Sequence, residues 1–294
     1  MMRLTETFDE LLYECKKNNA KIYEIAQNEE AFVQDISIET LRQIINNNIV
    51  ALEECIENGL TLCEPSVSGL SGTDCVRLKN GYEARPALLG KLFENITLYA
   101  LASAEENARM GKIVACPTAG SCGIVPAVLV ACAKELKSSK EEQINALIVA
   151  GKIGAIVANK VRLAGAVAGC QAECGVASGM AAGLLTYLRG GTNEQIIDAA
   201  ILAIKNILGL TCDPVCGLVE VPCVKRNPFL AIHAVTASEM ALNGLKSKIP
   251  SDEVVDVLDV TGRLMSPVLK ETSQGGLAKT KTGIELEKRL ADKL

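Results

Sequence analysis

The stretch from 163 to 183 constrains the fold more than any other part of the chain. It contains thirteen Gly, Ala or Ser residues in twenty-one, and two pairs, Gly165/Gly169 and Gly175/Gly179, follow G-x-x-x-G spacing. Small residues let helix backbones approach closely. Aromatic residues make up only 3% of the chain and Trp is absent, so the core must come from Ala, Leu, Ile and Val. The stretch therefore predicts closely packed helices.

A membrane-spanning helix is the alternative interpretation of this stretch. Gln171 and Glu173 interrupt it, and Arg162 and Arg189 are the only charges that flank it. A carboxylate near the middle of a bilayer is costly, so we expect no membrane association. The net charge of -5 and the pI of about 5.2 give no electrostatic footprint for nucleic acid.

The cysteine and histidine content narrows the chemistry. The N-terminal sequence has early acidic residues and no apolar core of signal-peptide type, so we expect a cytoplasmic protein. Twelve cysteines in that compartment are expected to be thiols or metal ligands rather than disulfides. A single histidine, His233, argues against His-based zinc sites and against a Ser-His-Asp triad supplied wholly by this chain.

Hydrophobic periodicity is helical along most of the chain, and almost no segment alternates with period two. The predicted fold class is all-α, with loops between small-residue-rich helices. Only 215–224 has the pattern of a short strand. We expect a helical segment over 1–60 that packs on or docks the core, a main domain over 61–280 and a polar tail over 281–294.

Capping signals predict several helix boundaries. Ser37 opens the longest of the N-terminal helices and Gly59 closes it, and a capping box at Ser139 starts another helix. Residues 59–86 are dense in Gly, Ser and Pro and are expected to be a loop region. A later helix is expected from about Pro228 to Asn243.

Three cysteines stand beside Gly, Pro or Asp at breaks in the helical pattern. Cys212 follows Cys170 by 42 positions, and Cys223 follows Cys212 by 11. Thiolates on loops can converge on one metal centre, but this spacing is not one of the compact metal signatures. A shared metal site and buried free thiols are both consistent with the spacing.

Two loops could bind an anion. The run SGLSGTD, which begins at Ser68, could form a nest of backbone N–H groups, although an ordinary Gly-Ser turn fits it too. The run PTAGSCG directly precedes an apolar helix predicted over Ile124–Leu136, and exposed amides at a helix N-terminus favour a negative group. No G-K-[ST] ends this run, so a P-loop is excluded.

Four motifs in order carry a resemblance: the SGLSG loop, PTAGSCGIVP, GCQAECG and the CDPV–EVPC–KRN run. From about residue 64 to 280 the chain resembles the alpha subunit of the bacterial iron–sulfur L-serine dehydratases. In that family the matching cysteines hold a [4Fe–4S] cluster, which implies Cys170, Cys212 and Cys223 as the ligands here. The family's catalytic domain is all-helical, in agreement with the periodicity.

The resemblance implies conversion of L-serine to pyruvate and ammonia. A cubane cluster has four irons, so three thiolates leave one iron open as a Lewis acid for the β-hydroxyl. The chain departs from the family pattern at Cys116, where Thr is usual, at Val167, where an acidic residue is frequent, and in SGLSGTDC, which replaces SGLTGGDA. A related lyase that acts on cysteine or another β-substituted amino acid is therefore the alternative activity.

Candidate site residues beyond the three ligands follow from the polar groups in and beside the motifs. Lys112 and Ser121 are the candidate catalytic bases, and Lys112 is equally consistent with a carboxylate anchor or an exposed structural lysine. Glu173 is placed near the cluster, where a solvated or salt-bridged role fits it as well. The candidate substrate-binding residues are Ser68, Gly69, Ser71, Gly72, Ser121, Cys122, Gly123, Lys225 and Arg226.

A beta subunit is the expected partner, docked on residues 7–58 or on the loop face, because single-chain relatives carry a further N-terminal domain. The last cysteine is Cys223, so water, substrate or a partner group is expected on the fourth iron unless another cysteine folds over the site. Two other functions are alternatives. One is a pyridoxal-phosphate dehydratase, although the sequence contains no S-x-K-[IF]-R-G-like run, and the other is a non-catalytic scaffold.

Overall fold

The computed structural model describes residues 4–292 of the chain. Over these residues it contains thirteen α-helices and no β-strand, with one isolated bridge between Cys212 and Lys270. The all-α prediction is confirmed. The helices are α1 (Phe8–Asn18), α2 (Ile22–Val33), α3 (Ile38–Thr61), α4 (Asp74–Ala84), α5 (Lys91–Ala108), α6 (Ile124–Leu136), α7 (Lys140–Lys160), α8 (Gly165–Ala168), α9 (Val176–Leu188), α10 (Asn193–Lys205), α11 (Cys223–Leu242), α12 (Ser251–Leu264) and α13 (Lys281–Ala291).

Helix α9 lies at the centre of the molecule and packs against α6, α7, α10 and α11. Its residues from Val176 to Thr186 are all buried. At Gly179 a Cβ would lie 2.8 Å from the Ile204 side chain, and at Gly183 it would collide with Ile153. The small residues of this stretch are therefore required by close packing, as the sequence predicted.

The N-terminal helices pack on this core. Helix α2 contacts α7, and α3 contacts α5. The buried Glu29 carboxylate pairs with Lys152 of α7 at 2.6 Å and accepts a hydrogen bond from the Thr5 amide at 3.0 Å. Residues 4–60 therefore pack on the rest of the chain. The domain boundaries at 60 and 280 stay predictions.

Three predictions of secondary structure differ from the structure: the end of α3, the loop over 59–86 and the strand over 215–224. Gly59 lies inside α3 rather than at its end. A Cβ at this position would lie 2.3 Å from the Ala102 carbonyl oxygen of α5, so glycine is required by the helix contact. The region 59–86 is not a loop throughout, since it contains α4. The strand considered over 215–224 is wrong, because Val215–Gly217 forms a 3-10 turn.

Helix α11 begins at Cys223, five residues before Pro228, where the helix was expected to start. The Val224 amide donates to the Glu220 carbonyl at 2.9 Å, and the Asn227 side-chain amide donates to the Cys223 carbonyl at 2.9 Å. These bonds hold the first turn, so Pro228 is accommodated inside the helix. Cys223 consequently lies on a helix terminus rather than on a loop.

The C-terminal segment is more structured than a polar tail. Two 3-10 turns, Pro267–Leu269 and Gly276–Lys279, precede α13, which covers most of 281–294. Residues 293 and 294 lie outside the described part of the chain.

One window, Ala119–Leu136, is long and apolar enough to cross a membrane by length and composition, and 67% of it is buried inside the molecule. Core helices of globular proteins have the same properties. The small-residue stretch 163–183 does not form such a span, because Gly169 and a π-helical turn interrupt it. The absence of membrane association stays a prediction.

The contact between α3 and α5 leads to a stability prediction. Gly59→Ala would push a methyl group into the Ala102 backbone, so we expect the free energy of unfolding to fall by about 1–3 kcal/mol. Gly151→Ala is the matched control in α7, where nothing lies within 4 Å of the new Cβ, and it should add roughly 0.5–1 kcal/mol. Urea unfolding followed by circular dichroism measures both, and equal effects of the two substitutions would contradict the packing.

Candidate metal centre

A π-helical turn, Gln171–Gly175, joins the short helix α8 to the central helix α9. Gly169 precedes it with φ +75°, a conformation that suits glycine, and a Cβ there would lie 2.7 Å from the Met265 sulfur. The turn places Cys170 and Glu173 at the buried N-terminal end of α9. Single π-helical turns of this kind occur frequently at functional sites.

Cys170, Glu173 and Cys212 form one group. Their sulfur and carboxylate oxygen atoms all lie within 4.8 Å of one another, and the distance from the Cys212 sulfur to Glu173 Oε2 is 3.9 Å. Both thiols are buried, and the carboxylate is partly buried. Thiolates and a carboxylate converging in this way can hold a metal.

The C-terminal segment holds Cys212 in place. The Cys212 amide donates to the Leu269 carbonyl at 2.9 Å, and the Glu271 amide donates to the Cys212 carbonyl at 2.6 Å. The next residue, Asp213, accepts a hydrogen bond from the Leu277 amide at 2.8 Å. The segment 269–277, between α12 and α13, therefore forms one wall of the site.

Gln171 connects the π-helical turn to the segment that leads to Cys212. Its side-chain oxygen accepts a hydrogen bond from the Gly209 amide at 2.8 Å, and its backbone amide donates to the Leu210 carbonyl at 3.1 Å. Its side-chain nitrogen donates to the Leu258 carbonyl of α12 at 3.2 Å. The residue is fully buried, so these bonds form away from water and fix the two cysteine segments relative to each other.

Cys223, the third predicted ligand, is buried at the start of α11 and does not belong to the group whose ligand atoms lie within 4.8 Å of one another. Burial, and then the negative charge of Cys170, raises the pKa of the Cys223 thiol to about 12. Arg226, one turn further along α11, opposes this shift. The third predicted ligand thus shares an electrostatic environment with the first.

Arg226 is a partly buried cation beside the metal group. It donates to the Thr211 carbonyl at 2.9 Å and pairs with Asp213 at 3.4 Å. Burial opposes its charge, but the interactions with Cys170, Cys174 and Cys223 together outweigh burial and raise the Arg226 pKa. Arg226 therefore favours the thiolate form of the neighbouring cysteines, which is the form that binds metals.

Hydrogen bonds set the protonation of the other groups. Hydrogen bonds with the Cys174 and Cys212 thiols hold the pKa of the Cys170 thiol well below its usual range. Burial, followed by the charge of Cys170, raises the pKa of Glu173 to about 7, and the Thr118 side chain opposes this shift. Cys170 is thus the thiol of this site that ionises most readily.

Cys174 was not singled out from the sequence. Its sulfur lies 3.3 Å from the Cys170 sulfur, and burial and the hydrogen bond with Cys170 raise its pKa. It does not belong to the group whose ligand atoms lie within 4.8 Å of one another. The sequence signal for Cys174 is its position in the GCQAECG motif, and a motif alone does not predict the direction of a side chain.

The PTAGSCG loop packs beside the metal group. A Cβ on Gly120 would lie 3.6 Å from Glu173 Oε1. Ser121 is fully buried, and its hydroxyl donates to the Cys116 carbonyl at 3.1 Å. The Cys122 thiol donates a hydrogen bond to the Ser103 carbonyl at 3.7 Å. The Gly123 amide donates one to Asn227 Oδ1 at 2.9 Å.

The serine loop binds a carboxylate of the chain itself. Hydroxyls of Ser66, Ser68 and Ser71 donate to the buried Glu220 carboxylate at 2.5, 2.8 and 2.6 Å. Gly69 and Gly72 have φ of +77° and +114° and shape the turn. Because these hydroxyl protons point at Glu220, they are not free for a substrate carboxylate. The motif EVPC contained Glu220, but nothing in the sequence linked it to the loop.

The structure does not bring the two candidate lysines to the thiols. Lys112 is exposed and faces Glu54 of α3 at 3.7 Å. Lys225 is exposed and pairs with Asp74 of α4 at 3.0 Å. Of the predicted polar groups, Arg226 is the one that reaches Cys170. The catalytic roles of Lys112 and Ser121, and the substrate-binding residues as a set, stay predictions.

A cavity of about 630 Å³ opens between α4, α5 and α11. It is lined by Leu78, Tyr82, Phe93, Phe229 and other mainly apolar residues, and by none of the three cysteines. The metal group therefore lies elsewhere.

Comparison with known proteins identifies the family. The family model "Serine dehydratase alpha chain" matches residues 17–278. The chain is 43% identical over 285 residues to the "Probable L-serine dehydratase, alpha chain" of Bacillus subtilis (strain 168), covering 93% of this chain and 95% of the relative.

Two further relatives agree. The "L-serine dehydratase, alpha chain" of Peptoniphilus asaccharolyticus is 35% identical, with 97% of this chain and 98% of the relative covered. The "L-serine dehydratase" of Helicobacter pylori (strain ATCC 700392 / 26695) is 41% identical over 92% of this chain, and this match covers 60% of the relative. The chain therefore belongs to the serine dehydratase alpha-chain family.

Proposed function

We propose that the chain is the cluster-bearing subunit of an L-serine dehydratase, a lyase that converts L-serine to pyruvate and ammonia. The observation that carries this proposal is the convergence of Cys170, Cys212 and Glu173 at the end of α9 in a chain of this family. The names of the relatives give the substrate, and the buried thiols give a place for a metal cofactor.

The donor set fits a [4Fe–4S] cluster with Cys170, Cys212 and Cys223 as ligands. Thiolates are the ligands that iron–sulfur clusters prefer. Gly165 supports the fit, because a Cβ at this position would collide with the Glu173 carboxylate and lie 2.8 Å from the Cys212 sulfur. When bound, the cluster supplies a Lewis-acid iron that polarises the β-hydroxyl of serine.

The residues of this chain prepare that chemistry. Arg226 helps to lower the pKa of Cys170 and opposes the rise in the pKa of Cys223, and Asp213 orients Arg226 through their ion pair. Gln171 holds the segments that carry Cys170 and Cys212 at a constant separation. Burial of the thiols limits the access of water, which strengthens the electrostatic interactions at the site.

The serine loop is proposed to border the substrate site. Glu220 fastens the loop to the turn that leads into Cys223, and Val219 beside it reaches the PTAGSCG loop at Gly120. Glu220 is therefore a positioning residue that joins three of the motifs. A substrate carboxylate bound here would use other donors, because the hydroxyl protons of Ser66, Ser68 and Ser71 already serve Glu220.

A beta chain is the proposed partner, since relatives of the same length are named alpha chains. Exposed apolar side chains occur on both expected docking surfaces: Tyr13, Phe32 and Val33 on α1 and α2, and Val67, Leu88, Leu89 and Phe229 on the loop face. The cytoplasm is the proposed compartment, because all twelve cysteines are free thiols in the structure.

Removing single thiols tests the ligands. Cys170→Ser, Cys212→Ser or Cys223→Ser should each abolish cluster binding and turnover, because serine is a poor ligand for iron in such clusters. Cys63→Ser at the surface and Cys132→Ala in α6 are the controls and should retain both. Iron and sulfide analysis after anaerobic purification measures the outcome. A Cys212→Ser protein with full iron content and normal turnover would contradict the assignment.

Removing the Glu220 carboxylate tests the serine loop. Glu220→Ala leaves three hydroxyls without their acceptor, so the KM for serine should rise by roughly 10-fold, equivalent to about 1.4 kcal/mol, with a smaller effect on kcat. Glu64→Ala, at an exposed carboxylate beside the same loop, is the control. Steady-state kinetics at full cluster content provide the values, and an unchanged KM in Glu220→Ala would refute this role.

The partner requirement is tested by expression. The chain produced alone should fold, as judged by circular dichroism, but show little serine dehydratase activity, and co-expression with its beta chain should restore the activity. Pyruvate formation is the assay. Full turnover by the chain alone would rule out an obligatory beta chain.

A further inference from the structure

The inference concerns the iron that the three thiolates leave open, and it rests on the proposed cluster. An iron without a thiolate needs another ligand when substrate is absent, and that ligand must be exchangeable. Water, substrate, a partner group or a further side chain of this chain are the alternatives for that ligand. A carboxylate of the chain itself, that of Glu173, lies within 4.8 Å of two of the proposed ligand sulfurs.

Glu173 is the non-thiol member of the metal group. Its carboxylate lies within 4.8 Å of both the Cys170 and the Cys212 sulfur. It projects between two backbone segments that have no side chains in the way, at Gly165 and Gly120. A Cβ at Gly165 would collide with its Oε2, so glycine at 165 leaves room for this carboxylate.

The Glu173 carboxyl group has hydrogen-bond partners in the Thr118 side chain and the Gly165 backbone, but it has no cationic partner within the described part of the chain. No Lys or Arg nitrogen there lies within 4.0 Å of its carboxylate, and Arg226 is engaged with Asp213 and the Thr211 carbonyl. Burying a carboxylate next to thiolates is costly unless a cation or metal compensates it. A positively charged centre bound between these groups supplies that compensation.

Two neighbours are less suited to the same role. The Cys174 sulfur faces Cys170, is fully enclosed and stands outside the metal group. Glu271 raises the pKa of Cys212 and Cys223 but lies outside that group as well, and its backbone is occupied with the Cys212 carbonyl. Glu173 thus combines proximity, access and lack of a counter-charge.

We propose that the Glu173 carboxylate is the ligand of the fourth cluster iron in the absence of substrate, and that serine displaces it on binding. The exchange replaces one oxygen ligand by another and requires no oxidant or reductant. Glu173 then protects the labile iron between turnovers.

The test is the rate at which the fourth iron is lost. Holoenzyme with its beta chain is prepared anaerobically and treated with limiting ferricyanide, and the three-iron cluster is followed by electron paramagnetic resonance. Glu173→Gln should lose the iron roughly 10-fold faster than the unmodified enzyme. Glu271→Gln, which removes a nearby charge outside the metal group, should not change the rate, and Glu173→Asp should recover part of the protection. Saturating serine should make the rates of Glu173→Gln and the unmodified enzyme equal.

The outcomes separate this inference from the proposed function. An unmodified enzyme without about four irons per chain would overturn the cluster itself. A normal cluster with equal rates in Glu173→Gln and the unmodified enzyme would overturn the role of Glu173 alone. Faster loss in Cys174→Ala but not in Glu173→Gln would assign the iron to the thiol. A folded Glu173→Gln chain that assembles no cluster would also contradict a ligand needed by one iron only.

Discussion

The close packing of helix α9 is the constraint on which the site depends. Four helices surround α9, and its Gly and Ala positions leave no room for larger side chains at Gly179 and Gly183. Since the helix cannot shift, the π-helical turn at its N-terminal end has a definite position in the middle of the molecule. The turn fixes the positions of Cys170 and Glu173, and the segments that carry the other cysteines are arranged around them.

Polar contacts over long sequence separations complete the arrangement. Gln171 binds the backbone before Cys212, the C-terminal segment binds Cys212 and Asp213, and Glu220 binds the serine loop. These contacts are buried or partly buried, so breaking one leaves a polar group with little access to water as a substitute. The site is therefore stabilised by the same bonds that connect its motifs.

The sequence predicted the features that local patterns control. The all-α class, α6 over Ile124–Leu136 and the capping box at Ser139 follow from periodicity and capping, and the structure confirms them. The placement of Cys170 and Cys212 in one group agrees with their predicted role. Features set by tertiary contacts could not be read in the same way: Gly59 looks like a helix terminator, yet it is a contact point with α5.

The same limit applies to the candidate site. Lys112 and Lys225 stand beside the motifs in sequence, but their side chains face Glu54 and Asp74 at the surface. Glu220 carries no local signal, because its partners lie about 150 residues away in the chain. The sequence places Glu173 near the predicted ligands, but only the structure shows that its carboxylate lies within 4.8 Å of the Cys170 and Cys212 sulfurs and has no cationic partner among residues 4–292.

Mössbauer spectroscopy of anaerobically purified enzyme, enriched in the iron isotope that the method detects, tests the central claim most directly. Our account predicts one cluster in which three irons have thiolate-type spectra and one iron differs, with a spectrum that changes when serine is added. Four equivalent irons that do not respond to serine, or a folded chain without iron, would contradict it.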